Sequence, residues 1–107
     1  MNLAEKKCVP CEGGVSPFSQ AEIDKGLQEV DSKWSLENGK ITRTFNFVNF
    51  AHNMDFINKM AKLAEEEGHH PDFFVSYATC KVTIWTHAID GLSENDFILA
   101  AKIDNIV

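Results

Sequence analysis

The 107-residue chain has no apolar run approaching the ~20 residues that a membrane-spanning helix needs, so no membrane association is expected. It is also short of positive charge. Ten Lys and Arg against sixteen Asp and Glu give a formal net charge of −6. That balance opposes the phosphate neutralisation on which non-specific nucleic-acid binding depends, so nucleic acid is not an expected partner. The first residues, MNLAEKKCVPCEGG, place two lysines before no apolar stretch and so lack the layout of a secretory signal. A cytoplasmic location is the expectation. Cysteine is scarce and odd in number, Cys8, Cys11 and Cys80, which offers no disulfide framework and agrees with a reducing compartment. Cys8-Val-Pro-Cys11 has the spacing of half a zinc ribbon, yet no second Cys/His pair follows at the usual interval, and no metal site is expected. A G-x-S-x-G elbow, a glycine-rich phosphate loop and a cysteine beside an evident activating base are all missing, which leaves nucleophilic and phosphoryl-transfer chemistry without support.

What is present suits a single soluble domain, with 44% apolar and 24% charged residues. Residues 1–16 combine lysines, cysteines, a proline and a Gly-Gly pair without period and read as a loosely ordered arm; the folded domain is expected over 17–107. Ser19-Gln20-Ala21-Glu22 is a capping box with Phe18 and Ile23 at its staple positions, and Ile23, Leu27 and Val30 continue one helical face. Trp34 and Leu36, then Asn38-Gly39, then Ile41, Arg43, Phe45 and Phe47 read as a β-hairpin. Phe50, Met54, Ile57, Ala61 and Ala64 form the stripe of a long helix closed by Gly68.

Phe73–Tyr77 and Cys80–Thr86 read as a second hairpin, with Tyr77 a packed strand residue. Ser93-Glu94-Asn95-Asp96 caps a last helix, with Asp96 at its N3 position. That helix is apolar around most of its circumference, and a contact with another copy of the chain is expected on it. The order α-β-β-α-β-β-α predicts an α+β fold: a four-stranded antiparallel sheet with three helices packed on one face.

Three of the four histidines, His69, His70 and His87, fall within nineteen positions at the ends of expected elements. His52 fits a polar helix face. Glu65 lies four residues before His69, within reach of a carboxylate–imidazole hydrogen bond that would fix the ring's tautomer. His70 precedes Pro71 and is pushed toward extended geometry, so the adjacent rings should diverge rather than chelate one ion. His87 has the parity of Lys81, Thr83 and Trp85, opposite Cys80, Val82 and Ile84, and should face a groove. Imidazole exchanges protons near neutrality, so the cluster suggests acid–base work.

Glu65, three residues, His69-His70-Pro71, five residues, Tyr77, nine residues, His87, eight residues and Asp96 form a spaced pattern. It resembles the signature of the pterin-4a-carbinolamine dehydratase family, and the element order agrees over about residues 17–107. The resemblance implies a hydro-lyase that dehydrates 4a-hydroxytetrahydrobiopterin to quinonoid dihydropterin, in tetrahydrobiopterin recycling, without metal or bound cofactor. It implies His69 and His87 as acid–base residues, His70 as a group that binds and orients the pterin, and Glu65 as the residue positioning His69. Gly68, His69, His70 and Pro71, with Trp85, Thr86, His87 and Ala88, would line the pterin site. Phe73 stands where members commonly carry Trp after His-His-Pro and an acidic residue, here Asp72. Ala88 stands where animal members carry an acidic residue. The resemblance further implies a homodimer or homotetramer and a functional link to an aromatic amino acid hydroxylase. The alternative it leaves open is a non-enzymatic dimerisation or protein-binding module.

Overall fold

The computed structural model describes residues 2–9 and 16–107. Cys11, and with it the half-ribbon pair, lies outside the described residues. The elements run α1 (Gln20–Gln28), β1 (Ser35–Glu37), β2 (Lys40–Asn46), α2 (Phe50–Glu67), β3 (Asp72–Ser76), β4 (Thr79–Ile84) and α3 (Glu94–Asp104), with short 3-10 turns at Leu3–Glu5 and His87–Ile89. All strand pairs are antiparallel and the sheet order is β1-β2-β4-β3. The expected α+β order is thus the observed one. Among the described residues, no helix is long and apolar enough to cross a membrane.

Period-two alternation divides the sheet. Ile41, Arg43 and Phe45 of β2 pair with Ile84, Val82 and Cys80 of β4, and this buried face joins Phe56, Ile57 and Met60 of α2 and the apolar residues of α3 in one core. Thr42, Thr44, Lys81 and Thr83 take the other parity. The β1–β2 hairpin turns on Asn38 (φ 52°) and Gly39 (φ 77°), the left-handed pair that a tight two-residue loop requires. Both halves of the capping box that starts α1 are formed: Ser19 Oγ accepts from Glu22 N–H, and Glu22 Oε1 accepts from Ser19 N–H.

Three local expectations are corrected. The buried stripe of α2 is Asn53, Phe56, Ile57, Met60 and Ala64, while Phe50 and Ala61 are exposed. The helix is rotated because a polar residue belongs inside: Asn53 is fully buried and its amide donates to the carbonyls of Tyr77 (2.8 Å) and Thr79 (3.0 Å), bracing the β3–β4 turn. Tyr77 is a turn residue with φ 42° and is 68% exposed, not a packed strand residue. The apolar circumference of α3 is covered within the chain, by the sheet, by α1 and α2, and by Leu3. It therefore needs no second copy of the chain to bury it.

That covering involves residues 2–9, expected as part of a loosely ordered arm. They lie against α3 and the end of α2. Lys102 Nζ donates to Ala4 O (3.0 Å), Lys6 pairs with Glu94 (2.9 Å), and Cys8 N–H donates to Glu67 Oε1 (2.9 Å). The pattern of residues 1–16 gave no sign of these partners, because each lies more than fifty residues away in sequence.

The Glu67 side chain is 6% exposed, with Lys7 and Lys102 each 3.8 Å away. Burial pushes its carboxyl up, but the Cys8 N–H and the two ammonium groups outweigh burial and hold it below its ordinary 4.5. The unfolded chain therefore takes up this proton first as pH falls. Glu67's contribution is complete above about pH 4.5 and is lost as pH drops through its lowered folded value. Glu67→Gln should lower stability at pH 7 and flatten the acid limb of a urea-stability profile; an acid limb of unchanged slope would contradict this.

Candidate active site

Gly68 ends α2 in the left-handed region (φ 63°, ψ 27°), a conformation glycine adopts without the Cβ penalty of other residues. This reversal turns His69 off the helix face and into the protein, where its side chain is 13% exposed. Its Nε2 lies 2.6 Å from Oδ1 of Asp96, a fully buried carboxylate in the first turn of α3. The other Asp96 oxygen, Oδ2, accepts from Thr86 Oγ1 (2.9 Å) and from the backbone N–H of Ser93 (2.8 Å). Ser93 Oγ in turn meets Thr86 Oγ1 at 2.8 Å. An ionised carboxylate offers only lone pairs, so this bond places the hydrogen of His69 on Nε2 and leaves Nδ1 free to exchange a proton. The N-terminus of α3 adds a favourable field for the buried negative charge.

Glu65 does not reach His69. Once Gly68 has turned the chain, the residue in reach of Glu65 is His70, whose Nε2 lies 3.3 Å from Oε1, both side chains being largely in solvent. The expected Glu65–His69 pair is therefore replaced by two pairs, Asp96–His69 inside and Glu65–His70 outside. The two adjacent imidazoles thus bond different carboxylates, one buried and one exposed.

His87 opens the 3-10 turn after β4 and is exposed. Its ring stacks on Trp85 with centroids 3.9 Å apart and planes 21° apart, and Lys40 Nζ sits 3.8 Å from the Trp85 ring centroid. Thr86, between them, points the opposite way and is buried against Asp96. An antiparallel bridge from Thr86 to Gly91 closes the turn.

Gly68, His69, His70, Thr86, His87 and Ala88 line one depression of about 260 Å³, the convergence expected of them. Two unexpected residues, Val9 and Asn95, complete its wall. Pro71 instead borders a smaller neighbouring cavity of about 130 Å³, which Glu65 and Phe73 share. Trp85 supports the ring of His87 and is not among the residues lining the depression. Asp96, read as an N3 capping residue, does cap Ser93, and it also holds His69 and Thr86. A larger hollow of about 450 Å³ beside His52 has no second histidine among the described residues that line it, and His52 itself bonds the Asn49 side chain at the start of α2.

The surroundings of Cys8 disfavour its thiolate. Burial foremost, then the charge of Glu67, pushes its thiol up to about 12, and its Sγ–H donates to Asn95 O at 3.6 Å.

Nitrogen-15 NMR of the histidines should show His69 as the Nε2–H tautomer in the wild type, and Asp96→Asn should abolish that preference. An Nδ1–H signal for wild-type His69 would contradict the geometry.

Comparisons with known proteins point to one family. A family model described as "Pterin 4 alpha carbinolamine dehydratase" matches residues 16–106. A Rickettsia canadensis protein named "Putative pterin-4-alpha-carbinolamine dehydratase" is 53% identical over 104 residues, covering 96% of this chain and 95% of its own. A Nitrosomonas europaea protein of the same name is 50% identical, covering 96% of this chain and 91% of its own. A Brucella melitensis crystal structure described as a transcriptional coactivator/pterin dehydratase superposes with a TM-score of 0.81 at 31% identity, over 85% of this chain and 98% of that one. A pterin dehydratase-like protein described as a RuBisCO assembly factor in the alpha-carboxysome shares the fold (TM-score 0.58, 22% identity, 68% of this chain and 84% of its own).

Proposed function

Since the chain belongs to the pterin 4 alpha carbinolamine dehydratase family, we propose that it dehydrates a 4a-hydroxytetrahydropterin to the quinonoid dihydropterin by histidine acid–base catalysis. The observation that carries this reading is the buried Asp96–His69 pair opening on the same depression as His87. The reaction removes water. The C4a–O bond breaks as the leaving oxygen takes a proton, and the proton on N5 is removed so that the nitrogen lone pair closes the C=N bond.

His69 is the base. Its Nε2–H is held by an anionic carboxylate, so Nδ1 is available to take the N5 proton, and the imidazolium that forms is stabilised by Asp96. His87 is the acid that protonates the departing hydroxyl, its ring oriented by the stack on Trp85. His70, more exposed and tied loosely to Glu65, binds and orients the pterin. Asp96 takes the positioning role that the resemblance implied for Glu65. In the cell the activity serves tetrahydrobiopterin recycling, downstream of an aromatic amino acid hydroxylase that forms the carbinolamine.

Stopped-flow dehydration of carbinolamine, generated by a phenylalanine hydroxylase, tests the reading. His69→Ala and His87→Ala should each cut the enzymatic enhancement by ~10²–10⁴-fold, the usual effect of losing a general acid or base, with the fold kept. The uncatalysed reaction sets a floor beneath which no further loss is visible. A folded wild type that does not accelerate dehydration would instead favour a protein-binding role such as that described for the RuBisCO assembly factor.

A further inference from the structure

The site contains a wall that the family pattern does not include. Residues 4–9 cross the first turn of α3 and the last residue of α2, the two places from which Asp96 and His69 arise. They are pinned there by Lys102 on Ala4 O, Glu94 on Lys6 and Glu67 on Cys8 N–H. Within this strap Val9 is clamped by one side chain twice. Its N–H donates to Asn95 Oδ1 at 3.0 Å, and its carbonyl accepts from Asn95 Nδ2 at 2.6 Å. Asn95 is 5% exposed, and both of its amide hydrogen-bonding ends are used in this clamp. Yet the Val9 side chain is not buried: the residue is 66% exposed and borders the histidine depression.

Pinned backbone and open side chain together define what Val9 can offer a ligand. Its N–H is taken and its C=O is engaged by Asn95, so its two methyl groups are the part of the residue most open to whatever enters. A fixed apolar surface beside three imidazoles suits one face or edge of a flat heteroaromatic ring, whose polar edges the histidines can meet. We propose that Val9 is an apolar contact of the bound pterin, and that Asn95 is the positioning residue that holds it there. The inference rests on the dehydratase reading and extends the pterin site to the N-terminal strap.

The test is KM and kcat for carbinolamine dehydration by the wild type, Val9→Gly, Asn95→Ala and the double variant, with thermal melts to confirm folding. Val9→Gly should raise KM about tenfold, the effect of losing one apolar side-chain contact, with kcat changed by less than about twofold. Asn95→Ala should raise KM similarly, and the double variant should be no worse than Val9→Gly alone, because both changes remove the same contact. An unchanged KM in Val9→Gly, or strictly additive effects in the double variant, overturns the inference while leaving the dehydratase reading intact. A wild type without turnover overturns both. Should Asn95→Ala fail to fold, the surface substitution Val9→Gly decides alone.

Discussion

One buried carboxylate joins the parts of this molecule that matter for chemistry. Asp96 accepts hydrogen bonds from Ser93 at the start of α3, from Thr86 after β4, and from His69 after α2. Three segments, the end of α2, the end of β4 and the start of α3, meet on its two oxygens. A buried charge is costly unless its lone pairs are used, and here both oxygens are. The satisfied carboxylate therefore fixes the distance between the end of α2 and the end of β4, which is the distance across the histidine depression. The helix dipole favours that charge at the N-terminus of α3, and the same first turn carries Asn95, which holds Val9.

The far end of α3 is fixed by a second carboxylate. Asp104 sits where the dipole is unfavourable, but Arg43 Nη1 of β2 lies 2.6 Å away, and Trp34 Nε1–H and Asp31 N–H also donate to it. Arg43 is nearly buried and lies over the Phe45 ring, 4.3 Å from its centroid. The helix is thus tied at both ends through a carboxylate that collects hydrogen-bond donors, with its apolar middle enclosed by the sheet, α1, α2 and Leu3. Close packing against α1 needs the absence of a side chain: a Cβ on Gly26 would lie 2.7 Å from the Phe97 ring. A helix held this firmly is a suitable frame for a side chain that must orient an imidazole.

The fold was legible because local signals agreed with one another: two capping boxes, the Asn38-Gly39 turn, the Gly68 stop and the alternation in β2 and β4. The three histidines were legible too, from their spacing and parity. What local pattern could not disclose were polar contacts made across the fold. Asn53 interrupts the apolar stripe of α2 because it bonds carbonyls in another hairpin. Glu65 has the right spacing for His69 on an unbroken helix, but the left-handed Gly68 removes His69 from that helix. Asp96 has a sufficient local role as a cap, which hid its second role. Asn95 and Val9 are eighty-six positions apart, and only the folded chain brings them together.

The most direct test of this account is the effect of Asp96→Asn on dehydration, measured as a pH–rate profile with the fold verified. The amide keeps the shape of the side chain but no longer provides the anion that holds Nε2–H and stabilises the imidazolium. A loss of about 10²-fold or more in enhancement, restored by no pH between 5 and 9, is the predicted result. Wild-type turnover with an unaltered profile would show that His69 needs no buried carboxylate, and would contradict the account at its centre.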